Sequence, residues 1–211
     1  MSWIEQTLFY GNLAIKENVI ADDISVEMST VADYFKDIRF DFPPNYVSYD
    51  ELLELSSYVK ENYYDPKTDW FIQDEDLNSY LIKKSKELGF SQKKSYNIIQ
   101  DLTQELSSLI LDLKRHWNRA RPYQYAYFLS IEFSPFQSIS SHSPSYPSGH
   151  SLLAMCWENK ILSIKPELKS KTNKIVDSVN MGRMALGLHF PSDIEFSRTI
   201  ANFIKSNNIR L

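Results

Sequence analysis

Cysteine is almost absent from the sequence, since Cys156 is the only one among 211 residues. A single cysteine cannot form a disulfide within the chain, and this one lies in an apolar run, where a buried, unreactive thiol is expected. A chain without disulfides suits a reducing compartment. The first twenty residues lack a basic start followed by an apolar stretch, so no secretory signal and a cytoplasmic location are expected.

Long apolar runs and an excess of positive charge are missing as well. No run is long enough to span a bilayer, and no amphipathic anchor is recognisable. The net charge is −4, so the chain as a whole offers nucleic acid no basic surface. We therefore predict no membrane or nucleic-acid partner, and any affinity for anions must come from a local basic cluster.

The remaining composition is that of a folded protein, with 43% apolar and 24% charged residues. The length fits one domain, and neither a repeat nor a long linker divides it, so we predict a single domain over residues 1–211, with its motifs within about 90–205. Aromatic residues, at 14%, leave room for a surface that joins copies of the chain into a homo-oligomer.

Helical periodicity dominates after about residue 48, and strand alternation is scarce, so the sequence predicts an all-α helical bundle. The expected helices are one near residues 24–38, one capped by Ser48 with Glu51 as capping-box partner, one capped by Asp74 and ended by Gly89, one from Ser91 through Leu113, one from Ser148 to about Ile161, one over residues 166–188 and one from Asp193 to about Ile204. Residues 131–147 are expected to form a loop, and residues 123–133 a helix or a loop.

The first of three polar clusters is basic. Lys114 and Arg121 are seven residues apart, which on one helix is almost two turns, so both side chains would point the same way. Two such cations can clamp an oxyanion, and arginine can do so bidentately. Taken alone, the pattern also fits a solvated basic patch at a helix C-terminus.

The second cluster, Pro147-Ser148-Gly149-His150, leads into a predicted helix. A helix N-terminus presents free N–H groups and partial positive charge to an anion. Gly149 lets the backbone approach closely, Ser148 can cap the helix or donate its hydroxyl, and His150 would lie beside the anion. An ordinary N-cap next to a surface histidine is the alternative.

The third cluster contains Arg183, His189 and Asp193. Pro191 disfavours helix at the residue before it, so a helix should break just after His189, and Ser192 should cap the next one. Asp193 could then accept a proton from one imidazole nitrogen and leave the other with a free lone pair. A structural His–Asp pair at a helix corner is the alternative. Together the clusters supply the cations, N–H groups, nucleophile, orienting acid and proton donor of an anion-transforming site.

In order and spacing, the clusters resemble the motifs of the type-2 phosphatidic acid phosphatase superfamily, which includes class A bacterial acid phosphatases and vanadium haloperoxidases. The matching residues are Lys114 with Arg121-Pro122, the box Pro147-Ser148-Gly149-His150, and Gly182-Arg183 with His189 and Asp193. Glycine 182 departs from the superfamily pattern, which has serine there, and we expect weaker tuning of the pocket rather than loss of activity.

The resemblance implies a helical acid-phosphatase fold and a role for each matching residue. His189 would attack phosphorus and become a phosphohistidine, Asp193 would orient it, and His150 would protonate the leaving oxygen and then activate water. The groups that would hold the phosphoryl oxygens are Lys114, Arg121, Ser148, Gly149 and Arg183. No metal or other cofactor is implied, the ligand would be a small phosphate ester, and vanadate is expected to inhibit. His116 and His142 match no motif and are interpreted as non-catalytic.

Two other functions stay open at this point. A vanadium haloperoxidase would use the same pocket, although those proteins are usually larger. A non-catalytic anion-binding protein would need the cations but not an oriented histidine. The leading prediction is therefore a phosphatase that acts on a small polar phosphomonoester.

Overall fold

A computed structural model describes residues 26–37, 49–62 and 69–211. Within these ranges the fold is all-α, as predicted, and contains no strand. The helices are α1 (Val26–Asp37), α2 (Tyr49–Asn62), α3 (Trp70–Glu75), α4 (Leu77–Glu87), α5 (Gln92–Trp117), α6 (Pro122–Phe128), α7 (Gly149–Ile164), α8 (Lys169–Ala185) and α9 (Pro191–Ser206), with 3-10 turns at Ile139–Ser141 and Pro166–Leu168.

Helices α5 and α7 form the centre of the bundle. The long α5 packs against α1, α4 and α7, and α7 in turn packs against α8 and α9. Helix α7 is apolar on nearly all sides, which is typical of a helix enclosed by others. Its Cys156 is buried, as predicted, and burial raises the pKa of the thiol to about 12. None of the described helices is both long and apolar enough to cross a bilayer.

Local capping signals account for several helix ends. Ser91 caps α5 by accepting a hydrogen bond from Lys94 N at 3.3 Å, and Gly89, with φ +84°, ends α4. The predicted helix near residues 24–38 is α1, whereas Ser48 lies outside the described residues. The segment 123–133 divides between α6 and a loop, and residues 131–147 form a loop with one 3-10 turn.

Asp74 does not cap α4, contrary to the prediction. It lies inside the short α3, and Asp76 is the N-cap, whose Oδ1 accepts a hydrogen bond from Ser79 N at 3.0 Å. Asp76 is non-helical at the break between the two helices, with φ −150° and ψ 83°, as an N-cap is. The Asp74 side chain is instead buried in the interior.

The corner between α5 and α6 corrects the prediction that Lys114 and Arg121 share one helix. Helix α5 ends at Asn118, which adopts the left-handed conformation with φ 44°. Arg121 precedes Pro122, which disfavours helical backbone at Arg121, and it is extended, with ψ 158°. Pro122 then occupies the first position of α6, where a backbone N–H would have no partner within the helix, so the missing proline N–H costs nothing.

The corner between α8 and α9 comes earlier than predicted. Helix α8 ends at Ala185, because Gly187 adopts φ +69° and the backbone closes a Schellman turn, in which Leu188 N donates to Arg183 O at 3.0 Å. His189 therefore lies in the link rather than in the helix. The N-cap of α9 is Phe190 rather than Ser192, because Pro191 starts that helix.

The correction at α4 gives a stability prediction. Asp76→Ala should lower the free energy of unfolding by about 1 kcal/mol, because Ser79 N loses its capping acceptor. Glu75→Ala removes an exposed carboxylate next to the cap and should change the free energy by less than about 0.5 kcal/mol. Urea denaturation of the two variants measures the difference. Equal losses would mean that the cap contributes nothing specific.

Candidate active site

The three sequence clusters meet where five helix ends converge. Lys114 lies in the last turn of α5, Arg121 caps α6, and Arg183 lies in the last turn of α8. His150 is in the first turn of α7, whereas His189 lies in the link before α9. The remaining predicted residues are at the starts of helices: Ser148, Gly149 and Asp193. The structure thus brings all eight predicted residues to one region.

His189 is held through both of its ring nitrogens. Nδ1 lies 3.2 Å from Asp193 Oδ2, and Nε2 lies 3.0 Å from a guanidinium nitrogen of Arg121. Since arginine can only donate, Nε2 must accept, and Nδ1 therefore carries the proton that is donated to Asp193. Burial, followed by the charges of Arg121 and Arg183, holds the pKa of His189 well below its ordinary value. The ring is therefore neutral, and its Nε2 lone pair accepts the Arg121 hydrogen bond, which an incoming ligand would have to replace.

Asp193 is fully buried and accepts hydrogen bonds at both oxygens. Oδ2 accepts from Phe190 N at 2.9 Å as well as from His189. Oδ1 accepts from Arg119 at 2.5 Å and from the Ser145 hydroxyl at 3.4 Å. These donors fix the orientation of the carboxylate towards the imidazole.

Arg119 is a site residue that the sequence analysis missed. It is 1% exposed, and its guanidinium carbon lies 4.8 Å from the ring centroid of Phe190. Burial opposes its charge, but Asp193 and then Glu51, 3.8 Å away, keep the pKa of Arg119 above its ordinary value. No sequence signal separates this arginine from Arg115 in the same cluster, which is exposed.

The cations Lys114 and Arg121 are anchored by backbone carbonyls. Lys114 is 4% exposed and donates to the carbonyl of Pro144. Arg121 donates to the carbonyls of Ser143 and Leu188, each at 2.7 Å. Burial and the neighbouring Arg121 charge lower the pKa of Lys114 well below its ordinary value. Lys114 and Arg121 thus lie close together, and backbone carbonyl groups are the main partners of both.

The third cation, Arg183, has a carboxylate partner that no motif contains. Arg183 donates to Asp74 Oδ1 at 2.5 Å and to the Ser140 hydroxyl at 2.9 Å. The hydroxyls of Ser138 and Ser140 also donate to Asp74 Oδ1, each at 2.8 Å. Asp74 comes from α3, 109 residues earlier in the chain than Arg183, so the spacing of the motifs could not reveal it.

The start of α7 is fixed against α9. Ser148 N donates to Asp193 O at 3.3 Å, and the Ser197 hydroxyl donates to Ser148 O at 3.0 Å. The Ser148 hydroxyl caps the helix, as predicted, by accepting from Ser151 N at 3.5 Å. These contacts hold the N–H groups of the first turn next to the cations.

His150 is the half-buried histidine of the site. Its ring makes no hydrogen bond with any residue that the structure describes. Desolvation and Arg183 hold the pKa of His150 well below its ordinary value, while Asp74 acts in the opposite direction. His116 and His142 are both exposed, and neither hydrogen-bonds to the described site residues.

Residues 98–204 match the family model of the PAP2 superfamily. The chain belongs to the PAP2 superfamily. A comparison with curated proteins finds no match. The matched range contains all three clusters, which confirms the resemblance stated from the sequence, whereas α3 and Asp74 precede it. Within the described ranges, no group of three or more histidine, cysteine and carboxylate side chains is placed to hold a metal ion.

Glycine 182, the departure from the PAP2 motif, lies where α3 packs against α8. A Cβ atom at this position would be 2.6 Å from Cδ1 of Trp70 and 3.2 Å from Oε1 of Gln73. The first distance is shorter than van der Waals contact allows, so a serine would require the Trp70 side chain or α3 to shift. The glycine therefore does more than remove a hydroxyl, because it admits the helix that carries Asp74.

This packing gives a second prediction, in the form of a double-mutant cycle. Gly182→Ala alone should lower the free energy of unfolding by about 1–3 kcal/mol, because its methyl group collides with Trp70. In a Trp70→Ala background the same change should be neutral or stabilising by up to about 1 kcal/mol, since alanine favours helix over glycine. Chemical denaturation of the four proteins measures the coupling. The same loss in both backgrounds would refute the close contact.

Proposed function

We propose that the protein is a metal-independent phosphatase that hydrolyses a small polar phosphomonoester through a phosphohistidine at His189. The observation that carries this proposal is the setting of His189, a buried neutral imidazole with Asp193 on Nδ1 and Arg121 on Nε2. A group that merely binds anions would not need an oriented lone pair. Membership of the PAP2 superfamily supports an activity of the phosphatase type.

In this proposal the cations bind the phosphoryl group. Lys114, Arg121 and Arg183 would neutralise the charge on its oxygens, and the first turn of α7 would add the Gly149 N–H and the Ser148 hydroxyl. Phosphoryl transfer depends mainly on positioning and on such electrostatic stabilisation. Three buried cations can supply positive charge that a metal supplies elsewhere. The charged character of the site favours a compact polar ligand.

Chemistry would then proceed in two steps. His189 Nε2 forms a bond to phosphorus as the bond to the leaving oxygen breaks, and His150 gives that oxygen its proton. A water molecule next attacks the phosphohistidine and loses its proton to His150, the P–N bond breaks, and phosphate leaves. The negative charge of the ester would raise the pKa of His150 on binding, so the lowered pKa of His150 in the protein alone is compatible with this role.

The nucleophile can be tested by labelling. Enzyme mixed with a radiolabelled phosphate ester in a chelator and quenched in denaturant should carry acid-labile, base-stable phosphate, because a phosphoramidate resists base. His189→Ala should lose both the label and turnover, whereas His142→Ala, which changes an exposed histidine, should keep both. Full turnover by His189→Ala, or an absolute need for an added divalent ion, would contradict the proposal.

The role of His150 can be tested by varying the leaving group. His150→Ala should slow single-turnover phosphorylation by ~10²–10⁴-fold with an alkyl phosphate, because an alkoxide needs a proton in order to leave. The loss with nitrophenyl phosphate should be much smaller, since nitrophenolate leaves unaided. His116→Ala is the matched control and should affect neither rate. An equal loss with both esters would show that His150 holds the phosphoryl group instead of protonating the leaving oxygen.

A further inference from the structure

Asp74 is an acceptor bonded directly to Arg183, one of the cations proposed to hold the phosphoryl oxygens. Cations, an N–H group and a hydroxyl are donors that suit phosphoryl oxygens, whereas an ionised carboxylate can only accept. A carboxylate placed on a phosphate-binding arginine should weaken the binding of a dianion. Its presence therefore needs a chemical reason beyond the anchoring of Arg183.

The two oxygens of Asp74 differ in their partners. Oδ1 accepts three hydrogen bonds, from Arg183, Ser138 and Ser140. Oδ2 accepts none from the described residues, although the side chain is only 4% exposed. Oδ2 is not among the buried side-chain oxygens that lack a partner, so it keeps access to solvent. One oxygen is thus committed to the protein, and the other remains available to a ligand.

The charged groups around Asp74 come from several elements. Arg183 from α8 is in contact, and His150 from α7 is close enough to interact electrostatically. Arg121 contacts the 3-10 turn Ile139–Ser141, with a guanidinium nitrogen 3.5 Å from Ser140 O. On its other side, Arg121 contacts His189 Nε2 at 3.0 Å. Towards Asp74, this turn and its N-cap Ser138 contribute uncharged hydroxyl groups. Burial raises the pKa of Asp74, but Arg183 and these hydroxyls lower it by more, so the carboxyl is ionised.

We propose that Asp74 determines the protonation state in which the site binds its ligand, by accepting a hydrogen bond at Oδ2 from the P–OH group of a phosphate monoanion. A monoanion has one donor, and a dianion has none. Phosphomonoesters lose their second proton at a pKa of about 6, so both forms exist near neutral pH. This inference rests on the proposed function for its ligand, a phosphate group, but not on turnover.

Asp74→Asn is an informative variant because the protein dictates how the amide must orient. Arg183 and the two serines donate to the position of Oδ1, so the amide oxygen belongs there. The amide NH₂ then replaces Oδ2, and an acceptor becomes a donor of the same shape. Arg183 keeps a hydrogen-bond partner, which limits the structural disturbance.

The test is calorimetric binding of inorganic phosphate about one unit below and one unit above its second pKa. The wild type should bind the monoanion more tightly than the dianion. Asp74→Asn should reverse this preference, with the monoanion bound about tenfold or more weaker and the dianion bound more tightly, since a hydrogen bond to a charged group is at stake. Asp76→Asn, at the exposed cap of α4, should behave like the wild type.

Each other outcome has a defined meaning. Tighter binding of both forms by Asp74→Asn would show that Asp74 acts only through its charge and would overturn the proposal, as would a wild type without any preference. If the wild type binds the monoanion more tightly but hydrolyses no ester, the proposed function is wrong while this inference is supported. If Asp74→Asn fails to fold, the wild type suffices: its kcat/KM should fall at the second pKa of each ester, and fluorination of an alkyl ester should move that fall to lower pH. A fall that stays fixed would refute the proposal.

Discussion

The buried carboxylate of Asp193 is the constraint on which the site depends. A fully buried charge is costly unless it is paired and hydrogen-bonded, and Asp193 has Arg119 on one oxygen and both His189 and Phe190 N on the other. These partners come from the α5–α6 corner and from the α8–α9 link. The requirement to satisfy one charge therefore fixes two corners of the bundle relative to each other, and with them the imidazole between them.

The cations of the site are arranged at an energetic cost that an anion would relieve. Lys114, Arg121 and Arg183 are each at most 4% exposed, and the first two are held mainly by carbonyl oxygens. Burial first, and then the charges of Arg121 and Arg183, lower the pKa of Lys114. Fixed charges of this kind need not reorganise when charge arrives, which is the condition for electrostatic catalysis. The same repulsion between cations opposes folding.

The sequence predicted what depends on short-range signals, and it missed what depends on packing. The caps at Ser91 and Ser148 follow from neighbouring residues, and the motif spacings selected eight residues that the fold brings to one region. The corner errors arose at Asn118 and Gly187, where left-handed backbone ends a helix sooner than apolar periodicity indicates. Neither Arg119 nor Asp74 could be singled out, because their roles depend on contacts 74 and 109 residues away in the chain.

Glycine 182 links the part of the chain that matches the PAP2 superfamily with the part that precedes it. The matched range contains the donors and the histidines, whereas the acceptor Asp74 comes from α3. Helix α3 reaches α8 because residue 182 has no Cβ to meet Trp70. A serine in its place would add a hydroxyl and would require Trp70 or α3 to shift. If Asp74 selects the protonation state of the ligand, Gly182 supports that selectivity by leaving room for the close packing of α3 on α8.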